Sequence, residues 1–89
     1  MIEAEFKIVN KRGLHARAAA RFVHLATTFE CDVLVCHEGE EADGKSILSL
    51  MVLGAGPGTT VTLRAQGPDE AEALAKLGGL VGGGFDEQD

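Results

Sequence analysis

The chain has 89 residues, with 14 acidic against 8 basic side chains and a formal net charge of -6; that length suits one domain, and that balance argues against a nucleic-acid or anionic-membrane binder, which needs clustered cations. A hydrophobic share of 45% allows a modest core and excludes a disordered chain. No apolar run approaches the ~20 residues that span a bilayer, and Met1-Ile2-Glu3-Ala4-Glu5 lacks the start of a signal peptide, so no membrane insertion and a cytoplasmic location are expected.

Ile2, Ala4, Phe6 and Ile8 alternate with Glu3, Glu5 and Lys7, which predicts a strand with one buried face. After Asn10-Lys11-Arg12-Gly13, residues 16–28 read as a helix with Ala19, Phe22, Val23 and Ala26, then Phe29, as its apolar stripe. Arg17, Arg21, His24 and Thr28 recur on its other side, with Ala20 and Thr27 beside them. Residues 31–37 read as a second strand, Glu38-Gly39-Glu40 as a hairpin turn, and residues 40–43 as a short third strand with a solvated acidic edge. Cys31 and Cys36 lie five apart on one strand, so they point to opposite faces and are expected to be reduced. Without a Cys-x-x-Cys pair, and with His37 on the face opposite Cys36, neither a metal site nor a cofactor is expected.

Ser46 is a good cap for a second helix over residues 47–53, Ile47-Leu48-Ser49-Leu50-Met51-Val52-Leu53. A short helix on a small sheet buries only one side, so either Leu50 and Leu53 face inward or Ile47, Leu48, Met51 and Val52 do, and the other set forms an exposed docking patch. The loop Gly54-Ala55-Gly56-Pro57-Gly58 leads to a fourth strand with Val61, Leu63 and Ala65 inward. Gly67-Pro68 breaks it, and Asp69 with Glu72 makes a capping-box-like start to a third helix whose core stripe is Ala71, Leu74, Leu77, Gly78 and Val81. Gly78, Gly79 and Gly82 to Gly84 predict frayed last turns. The whole chain, residues 1–89, reads as a single α+β domain. Its architecture is an open-faced two-layer sandwich of order β-α-β-β-α-β-α, a four-stranded antiparallel sheet with three helices on one face.

Chemistry converges on Gly13-Leu14-His15-Ala16-Arg17. Gly13 permits a sharp reversal, and His15 then sits where the first amides of the helix lack intrahelical partners and the macrodipole is positive. That geometry suits a phosphate or carboxylate, and Arg17 adds a permanent, forked cation. Histidine supplies a neutral nitrogen nucleophile near physiological pH. No second acid or base falls near His15 in the sequence. His24, on the solvated face, reads as a surface residue.

The stretches Asn10-Lys11-x-Gly-Leu-His15-Ala-Arg17, Phe22-Val23-x-Leu-Ala26, Gly44-Lys45-Ser46-Ile47-x-x-Leu50-Met51 and Gly67-Pro68-Asp69-Glu70 together resemble HPr, the histidine-containing phosphocarrier family of the bacterial phosphotransferase system. The resemblance runs in order over nearly the whole chain. It implies a carrier that takes a phosphoryl group from phosphoenolpyruvate-charged enzyme I on His15 Nδ1, with Arg17 stabilising it, and hands it to an enzyme IIA domain in sugar uptake. It further implies docking through Ala16, Ala20 and His24 of the first helix and Ile47, Leu48 and Met51 of the second, and regulation through Ser46 by a serine kinase. Phosphate on Ser46 would turn the docking face from apolar to anionic. The family usually has proline where this chain has Ala18, so the His15 loop is expected to be more mobile and transfer slower. The closing Gly84-Phe85-Asp86-Glu87 resembles the nitrogen-related branch, so a mainly regulatory binding module is the alternative function. A stand-alone enzyme is not expected, and the working form is expected to be a monomer.

Overall fold

The computed structural model describes residues 1–87. The elements are β1 (Ile2–Lys7), α1 (Ala16–Ala26), β2 (Asp32–His37), β3 (Glu40–Asp43), α2 (Ile47–Leu53), β4 (Thr60–Gln66) and α3 (Glu70–Gly82), followed by a 3-10 turn over Gly84–Asp86. The four strands form one antiparallel sheet in the order β1-β4-β2-β3. The expected architecture is therefore the observed one.

Period-2 patterning decides which face of the sheet is covered. Val33 and Val35 of β2 and Val61, Leu63 and Ala65 of β4 are buried under the helices with Phe22, Leu50 and Leu77. On the open face Arg64 joins three strands: its Nη1 donates to Glu41 at 2.9 Å, and its Nε lies 3.5 Å from Glu3. The acidic third strand is thus tied back to the sheet as well as solvated. The β2–β3 turn has positive φ at both Glu38 (50°) and Gly39 (82°), the geometry that matches the twist of a two-residue hairpin.

Three local expectations are corrected. Helix α1 stops at Ala26, because the Thr27 and Thr28 hydroxyls turn back onto the His24 and Leu25 carbonyls at 2.9 and 2.6 Å. Asp69 stands at the start of α3 without capping it. Its carboxylate accepts from the Glu30 and Cys31 amides at 2.8 and 2.9 Å, which holds the carboxyl below its usual range, the Glu30 bond foremost. It is Glu70 that accepts from the Gly67 amide, at 3.1 Å. In α3 the buried set is Ala73, Leu77, Gly78 and Val81, while Ala71 faces solvent.

The glycine-rich end of α3, expected to fray, is helical to Gly82, and the Gly83 amide still donates to the Gly79 carbonyl at 2.9 Å. A Cβ on Gly78 would lie 2.1 Å from the Phe6 ring, so the bare backbone lets helix and strand approach. Beyond Gly82 the chain turns through left-handed conformations at Gly84, Phe85 and Asp86 and inserts the Phe85 ring completely into the core. That insertion carries Glu87, two residues on, to the start of α1.

Candidate functional site

The turn between β1 and α1 is closed by its own backbone. The Gly13 amide donates to the Asn10 carbonyl at 3.2 Å, and the buried Asn10 side chain donates to the Gly13 carbonyl at 2.8 Å. Gly13 adopts φ +64°, and a Cβ there would meet the Ala55 carbonyl oxygen at 2.7 Å. The Leu14 amide donates to that same oxygen at 2.9 Å, so the 54–58 loop and the turn hold each other.

His15 is the N-cap of α1, with extended backbone. Its Nδ1 accepts from the Arg17 amide at 3.3 Å, one of the amides at the helix start that have no intrahelical acceptor. Its Nε2 contacts a carboxylate oxygen of Glu87. The other Glu87 oxygen accepts from the Asn10 amide group at 2.7 Å, and Arg21 of α1 donates to the Phe85 carbonyl. These partners assign the neutral tautomer: the proton is on Nε2, and Nδ1 carries a lone pair aimed at the helix start.

The Asn10 hydrogen bond, more than the His15 contact and the charge of Arg21, holds the Glu87 carboxyl below its ordinary range despite burial. The sign follows: the stabilisation by this carboxylate is complete above the ordinary glutamate value and is lost as the pH falls through the lower folded value.

Glu87 and Asn10 are the site residues that the sequence reading missed. Asn10 was visible only as part of a motif. Glu87 follows a glycine run that reads as tail, and the one available signal was an aromatic residue, Phe85, set directly after that run.

Of the expected residues, His15 is partly exposed, and Ala16, Arg17, Ala20 and His24 are exposed along one side of α1. The Arg17 guanidinium forms no hydrogen bond or ion pair among the described residues and lines an open groove with Arg21, His24 and Asp86. Ser46 is the N-cap of α2, its hydroxyl accepting from the Ser49 amide at 3.2 Å. In α2, Leu50 and Leu53 face inward, which leaves Ile47, Leu48, Met51 and Val52 exposed, the last at 75%. Helices α1 and α2 pack together, so the small-residue strip and the apolar patch lie on adjoining helices. Among the described residues no cluster of three potential metal ligands forms, and no helix is long and apolar enough to cross a membrane.

An imidazole nitrogen at a helix start, a guanidinium beside it without a partner among the described residues and an open approach make a candidate anion site. Residues 2–82 match the family described as "PTS HPr component phosphorylation site". The phosphocarrier protein HPr of Cupriavidus necator is 45% identical over 87 residues, 98% of each chain. A solved structure of HPr-C-His from Thermoanaerobacter tengcongensis superposes with a TM-score of 0.94 at 40% identity, covering 100% of both chains. An HPr dimer from the same organism has a TM-score of 0.77 at 41% identity, covering 98% of this chain and all of that one. The chain belongs to the HPr family of phosphocarrier proteins of the phosphotransferase system.

Proposed function

We propose that His15 accepts a phosphoryl group from phosphoenolpyruvate-charged enzyme I and passes it to an enzyme IIA domain, so that the chain acts as a carrier and not as a stand-alone enzyme. The observation that carries this reading is the orientation of His15, with Nδ1 at the helix start and the Nε2 proton held on the far side of the ring. The Nδ1 lone pair attacks phosphorus, and the bond from phosphorus to its donor atom on enzyme I breaks. No proton need move, because Nε2 keeps its own. The Arg17 amide bond to Nδ1 is long, so it yields easily and the same N–H then faces a phosphoryl oxygen. The Arg17 side chain balances the dianion from the open groove. Transfer to enzyme IIA reverses these events.

Docking is assigned to Ala16, Ala20 and His24 together with Ile47, Leu48 and Met51, exposed residues of two adjoining helices. Ser46 lies at the border of that face, where phosphorylation by a serine kinase would place a dianion and change which partners bind. The proposed working form is a cytoplasmic monomer; since a solved relative is an HPr dimer, sedimentation of the purified chain decides the oligomeric state.

The test is the intact mass after incubation with phosphoenolpyruvate and enzyme I. An acid-labile gain of one phosphoryl group is expected, absent from His15→Ala. No gain, with enzyme I active on another carrier, would overturn the carrier role and direct attention to a kinase acting on Ser46.

Ala18 is fully buried and is the third residue of α1, where the N–H has no intrahelical acceptor, so proline would remove no helical hydrogen bond. Ala18→Pro is expected to accelerate phosphorylation by enzyme I, measured as initial rates. Equal rates would show that the His15 turn is already as ordered as its other contacts require.

A further inference from the structure

We propose that Glu87 is a positioning residue for phosphoryl transfer at His15: its carboxylate holds the Nε2 proton, orients the ring and leaves Nδ1 as the reacting nitrogen. This rests on the carrier reading above and deepens it.

The carboxylate is anchored at every level. One of its oxygens contacts His15 Nε2, and the other accepts from Asn10, whose amide group also binds the Gly13 carbonyl of the turn that presents His15. Two residues earlier the Phe85 ring is completely buried, and Arg21 of α1 donates to its carbonyl. Phe85 and Asp86 hold φ of 57° and 61°, a conformation that non-glycine residues keep only where surrounding contacts enforce it. Glu87 is thus built into the site and is not a passing surface acid.

The chemistry gives that placement a use. When Nδ1 bonds to phosphorus, the ring keeps its Nε2 proton and becomes cationic, and a carboxylate in contact with Nε2 stabilises that charge as it develops. Its repulsion of the phosphoryl group acts across the width of the ring and is opposed by the helix start and by Arg17. The two effects therefore leave a phosphoryl group that forms readily yet is not trapped, as a carrier requires. Among the described residues, the other charged groups around His15 are Lys11 and Arg12 in its own turn, Arg17, Arg21 and His24 on α1, and Asp86 beside Glu87; the 54–58 loop contributes none.

The test uses the full chain with Glu87→Ala and Glu87→Gln. In the wild type, ring 15N shifts of His15 at neutral pH should report the proton on Nε2, and Glu87→Ala should shift population toward the Nδ1-protonated form. The kcat for phosphorylation by enzyme I should fall about tenfold in Glu87→Ala, the scale of one hydrogen bond to a charged group, with KM unchanged because the docking face is intact. Glutamine still accepts from Nε2 and should restore part of the loss. Unchanged 15N shifts, or an unchanged kcat, in Glu87→Ala would overturn the proposal. If the wild type takes up no phosphoryl group, the carrier reading fails instead, and the NMR arm still decides whether Glu87 orients His15.

Discussion

Phe85→Ala is expected to lower the unfolding free energy by about 3–5 kcal/mol, the usual cost of removing a buried aromatic ring. Against the 5–15 kcal/mol typical of a whole domain that is a large share, and it comes from the residue directly after a run of three glycines. The magnitude has two sources. The ring is completely buried among core side chains that include Ile8, Leu14 and Phe22. Its burial also offsets the left-handed backbone at Phe85 and Asp86, which costs about 1–3 kcal/mol per residue. Without the ring only the Arg21, Asn10 and His15 contacts oppose that strain, and the turn loosens together with Glu87. The variant should therefore also show the His15 changes expected of Glu87→Ala. Denaturant titration with transfer kinetics on the same sample checks both effects. A loss of stability below about 1 kcal/mol would mean that the ring is not the anchor.

Gly13→Ala should disturb the site most severely for the smallest chemical change. A non-glycine residue at φ +64° costs about 1–2 kcal/mol in intrinsic strain. In addition its Cβ would stand 2.7 Å from the Ala55 oxygen and 3.0 Å from Gly56 Cα, backbone atoms that cannot rotate aside. Pushing that loop away adds about 1–3 kcal/mol and strains the Leu14 to Ala55 hydrogen bond. The total expected loss is about 2–5 kcal/mol, from the sum of strain and overpacking. Function should suffer more than stability, because His15 is two residues away and misplacement by a fraction of an ångström is costly in transfer reactions. A fall of at least about tenfold in the rate of phosphorylation is expected with His15 still present. Wild-type rates in a folded Gly13→Ala protein would show that the turn tolerates displacement.

How much of this was legible beforehand depended on whether the deciding force was local. The strands were, because alternation along Ile2 to Ile8 or Thr60 to Gln66 is imposed by the pleat itself. The His15 site was legible in part: a glycine, a histidine and an arginine at a helix start announce an anion cradle without any tertiary information. The inward side of α2 was not, since both candidate sets are apolar and only the packed sheet selects Leu50 and Leu53. Asp69 misled because an acid before a helix suits a capping box, while the Glu30 and Cys31 amides, distant in sequence, compete for the same oxygens. The end of α3 misled for the opposite reason. Glycine propensity predicts a loose tail, and a single buried aromatic side chain outweighs it.

The contact between His15 and Glu87 spans 72 positions of the chain. During synthesis, residues 1–66 can already pair all four strands, yet the histidine still lacks the partner that orients it. Closing so long a loop is entropically slow and follows the more local contacts. A nascent or truncated chain would therefore hold the His15 ring in mixed tautomers until the last turn docks, and phosphoryl uptake would reach its full rate only on molecules whose folding is finished.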